Sequence, residues 1–534
     1  MVFHDEPSFI ASNGNGYDVI DWVGYHAAVK PRAIATRELP SGRLQSYAAM
    51  NQRVGQISAE LRLRGVLSGD RVAFLMPNSS DIMDITFATW RLGGVVLALN
   101  FRLSAQELSF ILNDASASVV IYDASLVDLV AAIDAPSVVH WIASNGDGSP
   151  SPFEAAIIAQ SHPILQREPQ SLQDQCMLMY SSGTTGRPKG VIITHGMIHF
   201  SASGSFGPCR TSAQSASLAA MPLFHIAAMN VSCLPMFSIG ATSVIMRAFE
   251  PEAVLAAISN PDFGITHTFA VPAAFNALRE SPSAETADFS RLVTVISGAE
   301  TVPEPLVKWW SDHGVQILEG YGLTETASAG CLLPHDDVGR KHGSTGMPTM
   351  YGAMKIMKDE NTEADADELG EIWVRGPVVT PGYWNMPDET RDAFHDGWFC
   401  TGDIGRKDTE GYLYIEDRLK DMYISGGENV YPAEVENVIY GHDAIAEVAI
   451  IGVPDTRWGE VGCAVVVIKP NAQFDRTDID LLCAGKLARF KQPVHLVVLD
   501  ALPRNGTGKV LKHELRKMVE TGEVRYSGIS GREQ

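Results

Sequence analysis

Hydrophobic and polar positions follow two periods along this chain, and the places where the period changes mark its organisation. From about Tyr47 to Gly240, apolar residues at helical spacing alternate with short β-branched runs such as Val119-Val120-Ile121-Tyr122, which predicts a layered α/β architecture. A second α/β stretch follows. In it Leu292 to Ser297 predicts a strand running into Gly298, and Val315-Gln316-Ile317-Leu318 a strand running into Gly320. Glycine loops at strand ends are where ligands commonly bind in such sheets. Between Gly370 and Tyr414 the pattern turns to short strands split by Gly, Pro and Asp, as in Glu371-Ile372-Trp373-Val374 and Gly411-Tyr412-Leu413-Tyr414-Ile415, which predicts a β-rich subdomain. Beyond Arg418 the character is small α+β, with strands near Glu447 to Val453 and Cys463 to Ile468 and a final helix from Val510 to Glu520. A domain boundary is expected near Asp417 to Lys420, and no fixed-period repeat is present.

At 534 residues the chain exceeds the ~250–300 at which a single core stops growing, so two or more domains are expected. With 45% hydrophobic and 19% charged residues it reads as globular throughout, with no tail of disorder-scale polarity. The 41 basic and 63 acidic residues leave a net charge of −22, which repels nucleic acid and anionic membrane surfaces. Binding a polyphosphate would therefore require a few cations focused in one cleft. Seven cysteines without a CxxC pair suggest neither a disulfide framework nor a zinc site. No stretch reaches transmembrane length, the N-terminus carries Asp5 and Glu6 in place of a long apolar run, and Gly531 to Gln534 is no peroxisomal signal. A cytoplasmic protein without integral membrane association is the expectation.

The cations appear in one segment rich in hydroxyls. Tyr180 to Gly190, YSSGTTGRPKG, follows Met177-Leu178-Met179 and precedes Val191-Ile192-Ile193, which predicts a loop between two hairpin strands. Hydroxyls and backbone N–H groups freed by glycine can wrap phosphate oxygens, while Arg187 and Lys189 add charge. The loop is not a Walker A motif, because Pro188 stands where glycine is needed and Gly190 follows the lysine. Glu319 to Thr326, EGYGLTET, sets an aromatic, two glycines and a carboxylate on a tight turn after a strand. There Glu325 can hold Mg2+ between phosphates, a hard cation preferring carboxylate and phosphate oxygens. Asp403 in TGD adds a further carboxylate with two acceptor oxygens. His195 and His199 have helical i, i+4 spacing but lack a third ligand or an HExxH context, so a metal site is not expected there.

The string at Tyr180 to Gly190 resembles the signature of the adenylate-forming superfamily, which contains acyl-CoA synthetases, aryl-CoA ligases, peptide-synthetase adenylation domains and firefly-type luciferases. Further segments resemble it in the right order as far as residue 512. The resemblance implies an α/β fold with a large multi-layer N-terminal domain (1–417) that includes the β-rich subdomain. It implies a hinge at 418–420 centred on Lys420, and a small mobile α+β C-terminal domain (421–534). For ATP it implies Ser181, Ser182, Gly183, Thr184, Thr185, Gly186 and Lys189 in the phosphate loop, with Thr184 beside Glu325 at the metal. It adds Gly298, Ala299 and Glu300 of SGAE at the adenine side, although many relatives carry a second glycine where this chain has Ala299. Gly320, Tyr321 as the adenine-stacking aromatic, Gly322, Thr324, Asp403, Ile415 and Arg418 complete the nucleotide set. Lys509 in LPRNGTGKVLK resembles the catalytic lysine, one cation offsetting the substrate carboxylate and the α-phosphate as they meet.

His225 in MPLFH resembles the residue between the acyl pocket and the thiol tunnel, orienting substrate more than acting as a base. Gly426, Gly427 and Glu428 resemble the loop that lines this tunnel, and Trp458 and Phe490 the aromatics beside CoA, with Lys491 placed to meet a phosphate. A small, apolar acyl pocket is implied at Ile226, Met229, Phe269, Val271, Ala299, Gly322 and Ala327, with no countercharge for an amino group or a second carboxylate. The function implied is an AMP-forming acid:CoA ligase that uses ATP, CoA and Mg2+ on a monocarboxylic fatty or aryl acid, and a homodimer is the assembly the resemblance suggests. A luciferase-like oxygenase and an adenylating enzyme serving a carrier protein share the first half-reaction and stay open from these motifs, as does a non-catalytic nucleotide-binding protein.

Overall fold

A computed structural model describes residues 19–182, 188–299, 302, 304–328, 330–341, 343–418, 423–430, 432–470, 472–503, 510 and 512–524. Among these residues the strands form four sheets, of nine, six, five and five strands. The six-stranded sheet runs His140–Ser144, Val119–Asp123, Arg71–Leu75, Val95–Ala98, Gln175–Ser182, Pro188–Thr194, and only its last pair is antiparallel. Its inner strands Arg71–Leu75, Val95–Ala98 and Val119–Asp123 are buried on both faces, as parallel strands between helical layers must be. Within Arg71–Leu75, Val72 and Phe74 enter the main core while Ala73 and Leu75 enter a second core under the helix Ala105–Asp114.

The main core is shared with the nine-stranded sheet, whose central strands Ile317–Tyr321, Thr294–Gly298, His267–Ala270, Ala216–Ala219, Thr242–Met246 and Ile34–Leu39 are mutually parallel. Helices Tyr47–Leu63 and Ser80–Arg91 contribute Met50, Val54, Ile57, Ile82, Met83 and Ile85 to this core. The α/β pattern begins earlier than the periodicity predicted, with the helix Trp22–Val29 and the strand Ile34–Leu39 ahead of Tyr47. Trp22–Val29 has apolar residues all round rather than a stripe, so it gives no helical period to read.

The predicted β-rich segment is a wholly antiparallel sheet that includes Ala353–Met357, Gly370–Arg375, Trp398–Lys407 and Leu413–Arg418. The C-terminal domain pairs Ile445–Asp455 with Gly459–Ile468 along a long antiparallel ribbon and adds His495–Val498 in parallel. Helices Pro432–Tyr440, Arg476–Cys483 and Lys512–Glu520 accompany this sheet, and the last of them starts two residues later than expected. Among the described residues no helix is long and apolar enough to cross a membrane.

Candidate active site

A cavity of about 1680 Å3 lies where the two parallel sheets, the β-rich sheet and the C-terminal domain meet. The predicted hairpin borders it: Gln175–Ser182 and Pro188–Thr194 pair in antiparallel register down to Ser182 opposite Pro188, which brings Ser181 and Lys189 to the cavity wall. Gly183, Thr184, Thr185, Gly186 and Arg187 lie outside the described residues, as do Glu300, Lys420 and Lys509.

Across from the hairpin, the turn after Ile317–Tyr321 presents Gly322, Thr324 and Glu325. The Tyr383 hydroxyl donates to Glu325 Oε1 at 3.0 Å. Burial pushes the Glu325 carboxyl up and nearby Asp403 adds to this, while the Tyr383 hydrogen bond and Lys189 oppose it. A cavity-facing carboxylate with a donor on one oxygen, beside Lys189 and the hydroxyl-rich hairpin, suits a hard divalent cation shared with phosphates. Behind the turn, Gly298 and Gly320 face each other in register, and a Cβ on Gly298 would stand 2.6 Å from the Gly320 carbonyl oxygen. These two glycines therefore allow the strands' close approach and do not line the cavity. Ala299 does line it, at φ +72°, so the departure from glycine noted in the sequence falls on a left-handed residue.

Asp403 lies in Trp398–Lys407 directly across the ladder from Arg418. The Tyr321 hydroxyl donates to Asp403 Oδ2 at 2.8 Å, and burial followed by the Asp403 charge holds that hydroxyl protonated by pushing it up. The Tyr321 ring packs with Cys331, Met354, Ile356 and Ile372 and is nearly buried, with its oxygen directed at Asp403. Ile415 packs against the same cluster.

From the C-terminal domain, Gly426, Gly427 and Glu428 enter the cavity wall beside His225. Glu428 Oε2 lies 2.9 Å from His225 Nε2, and Oε1 is ion-paired with Arg102. Burial alone would raise this carboxyl, but His225 and Arg102 outweigh it and hold the group below the usual carboxylate range. Gly426 is at φ +60°, and a Cβ there would meet the Trp458 ring at 2.8 Å, so only glycine lets the loop pass under the indole. Trp458 is 45% exposed, with the Arg457 guanidinium 4.9 Å from its ring centroid. Phe490 is half-buried at the same wall.

Lys491 lines the cavity, but its ammonium is engaged by two carboxylates. It is buried, with Nζ 2.6 Å from Glu107 Oε1 and 2.8 Å from Glu434 Oε1, because a buried ammonium needs carboxylates more than a solvated anion does. The acyl pocket differs from expectation. Ile226, Phe269, Val271, Ala299 and Gly322 line the cavity, whereas Met229 and Ala327 are wholly buried behind its wall. Nor is the pocket small. An apolar arm continues past Phe269 along Met246, Phe249, Ala256, Ala257 and Phe263, and the cation on this wall, Arg247, is paired with Asp123 at 2.6 Å. Sequence reasoning missed this arm, along with Arg102, Glu107 and Tyr383. The segment Asn100 to Glu107 offered a signal in its charges, whereas the arm's alanines and phenylalanines look like any core-facing stripe. His195 and His199 share the helix His195–Ser205, where His195 Nε2 lies 3.1 Å from Arg167.

The AMP-binding enzyme family matches residues 24–384, and the AMP-binding enzyme C-terminal domain matches residues 434–509. The chain belongs to the AMP-binding enzyme family. It is an AMP-forming acid:CoA ligase that uses ATP, CoA and Mg2+. This ligase is 38% identical to a feruloyl-CoA synthase of Amycolatopsis sp, over 93% of this chain and 98% of that protein. It is also 38% identical to the long-chain-fatty-acid--CoA ligase FadD13 of Mycobacterium tuberculosis, over 92% and 96%. Two structures of o-succinylbenzoate CoA synthetase (MenE) from Bacillus subtilis resemble the ligase to different degrees. A double mutant bound with its product analogue OSB-NCoA gives a TM-score of 0.84 at 29% identity, covering 96% of this chain and 100% of that one. The complex with the acyl-adenylate intermediate OSB-AMP gives 0.69 at 30% identity, covering 94% and 98%.

Proposed function

We propose that the ligase activates a monocarboxylic fatty or aryl acid. The observation that carries this reading is the apolar arm beyond Phe269, where Arg247, the one cation among the described residues of that wall, is already neutralised by Asp123. A second carboxylate on the acid would find no free cation there and would face the Glu250 carboxylate on the same wall. The family resemblance supports the remaining assignments. In the first half-reaction a carboxylate oxygen attacks the α-phosphorus of ATP and pyrophosphate leaves. Ser181, Lys189 and the rest of the hairpin hold the β- and γ-phosphates, and Asp403 takes the ribose hydroxyls. Glu325, with Thr184, would hold Mg2+, which offsets charge on the phosphates. Lys509 neutralises the meeting anions. In the second half-reaction the CoA sulfur attacks the acyl carbon, the bond to the AMP oxygen breaks, and AMP departs.

The boundary at residues 418–420 divides a large domain from a small one that moves between the two steps. Two observations support reading the present arrangement as the thiol-transfer one: Glu428 of the tunnel loop is engaged with His225, and the resemblance is greater to the product-analogue complex than to the adenylate complex. All seven cysteines are unpaired, which supports a reducing cytoplasm, where ATP and CoA are also supplied.

A panel of aliphatic and aryl acids assayed for AMP and thioester tests the reading, in the wild type and in Ala256→Trp, which fills the arm's exposed outer end. Loss of long aliphatic acids by about ten-fold or more with aryl acids retained is expected, since a blocked pocket excludes methylenes worth ~0.8 kcal/mol each. Activity on diacids alone would overturn the reading, and a weakened response to CoA in place of the acid would reassign the arm to the thiol.

A further inference from the structure

The strap from Thr380 to Trp384 joins the two halves of the nucleotide site. The Thr380 N–H donates to the Glu325 carbonyl at 2.7 Å, and the Thr380 hydroxyl donates to the Ile192 carbonyl of the phosphate hairpin at 2.6 Å. Two more backbone bonds, Ile192 N–H to Gly382 O at 3.1 Å and Trp384 N–H to Gly190 O at 2.7 Å, zip the strap along the hairpin's second strand. Tyr383 pairs with Val191 between them and faces the cavity. Its hydroxyl donates to Glu325 Oε1 at 3.0 Å, and Lys189 Nζ stands 5.2 Å from its ring centroid.

One side chain therefore touches both the carboxylate on the turn and the ammonium on the hairpin. A tyrosine kept only for packing would direct its oxygen to solvent or to backbone. This one directs it to a cavity-facing carboxylate and offers its ring face to a cation.

We propose that Tyr383 is a positioning residue of the adenylation site, its hydroxyl fixing the Glu325 carboxylate for Mg2+ and its ring seating Lys189 for the phosphates. This rests on the roles proposed above for Glu325 and Lys189. Glutamate and lysine side chains have many rotamers, and ordering them before ATP arrives removes that cost from binding. The hydroxyl and the ring make separable contributions: the first acts only when the metal is present, the second also in its absence.

Isothermal titration with ATP, in excess Mg2+ and in EDTA, tests this without turnover because no acid is present. Tyr383→Phe is expected to cut the Mg2+-dependent gain in ATP affinity by about five-fold and to leave affinity in EDTA within about two-fold. Tyr383→Leu, which also removes the ring, should weaken binding in EDTA by about three-fold. In a Glu325→Gln background, Tyr383→Phe should add nothing to the loss of Mg2+ gain. Thermal midpoints equal to wild type certify that each variant is folded. If Tyr383→Phe keeps the full Mg2+ gain while Glu325→Gln loses it, or if the two losses multiply, the proposal falls alone. If Glu325→Gln keeps the full gain, the assignment of Glu325 falls and takes the proposal with it.

Discussion

Ala299 occupies φ +72° at the cavity wall, a conformation that costs an L-residue roughly 1–2 kcal/mol and glycine almost nothing. Ala299→Gly should raise stability by about 0.5–1 kcal/mol after the added freedom of the unfolded chain is subtracted, read as a higher denaturation midpoint at constant slope. An unchanged or lower midpoint would show that the surrounding backbone already absorbs the strain. The sequence pointed to this residue because it stood in a motif, but motifs do not say where a side chain faces. Met229 and Ala327 were drawn into the site by position along the chain, but Met229 sits on the π-helical turn Ala228–Cys233 and Ala327 on a left-handed turn residue, and both are wholly buried behind the wall. Lys491 was legible as a cation and illegible as an ion-pair partner, because Glu107 lies 384 residues away in the sequence.

Among the elements, the helix Ala105–Asp114 joins the two domains through its own N-terminus. Ser104 and Glu107 form its capping box, with Glu107 Oε2 accepting from the Ser104 N–H at 2.8 Å while Oε1 accepts from Lys491. Burial, and then Glu107, push Glu434 up to about 7 against the pull of Lys491, while Glu107 itself is held below its ordinary value by Lys491 and its hydrogen bonds. In the docked state Glu434 thus keeps its proton above its ordinary value of 4.5, so docking is strongest below that value and weakens as pH rises through about 7. The Glu107 shift acts only below its own ordinary range and leaves that window untouched. Energy transfer between dyes on the two domains should fall between pH 5.5 and 8. Glu107→Gln, which preserves the cap, should flatten the response and slow thioester formation from added acyl-adenylate by about ten-fold. A response unchanged in the variant would dissociate Glu434 from docking. Elements of this kind were readable where turn chemistry or β-branched runs marked them. The apolar arm was not, since a helix such as Pro251–Ser259 shows the same apolar positions whether they face a core or a cavity.

Over the whole molecule, Ser104 Oγ donates to the Lys486 carbonyl at 2.8 Å, which brings the two domains into contact at the surface. Cysteines at both positions should form a disulfide that holds the present arrangement. The oxidised Ser104→Cys, Lys486→Cys protein is expected to convert added acyl-adenylate and CoA to thioester while losing acid-dependent pyrophosphate exchange, and a reductant should restore the exchange. Full exchange in the oxidised protein would show that one arrangement serves both steps. The same closure bears on the fate of the activated acid. Gly426 to Glu428 form part of the cavity wall, and Glu428 is tied to His225 and Arg102, so in the proposed cycle the loop assigned to the thiol path would also displace bulk solvent from the activated acyl group. Water competes with the thiol for an acyl-adenylate, so in the proposed cycle the loop decides how many molecules of ATP are consumed for each thioester made.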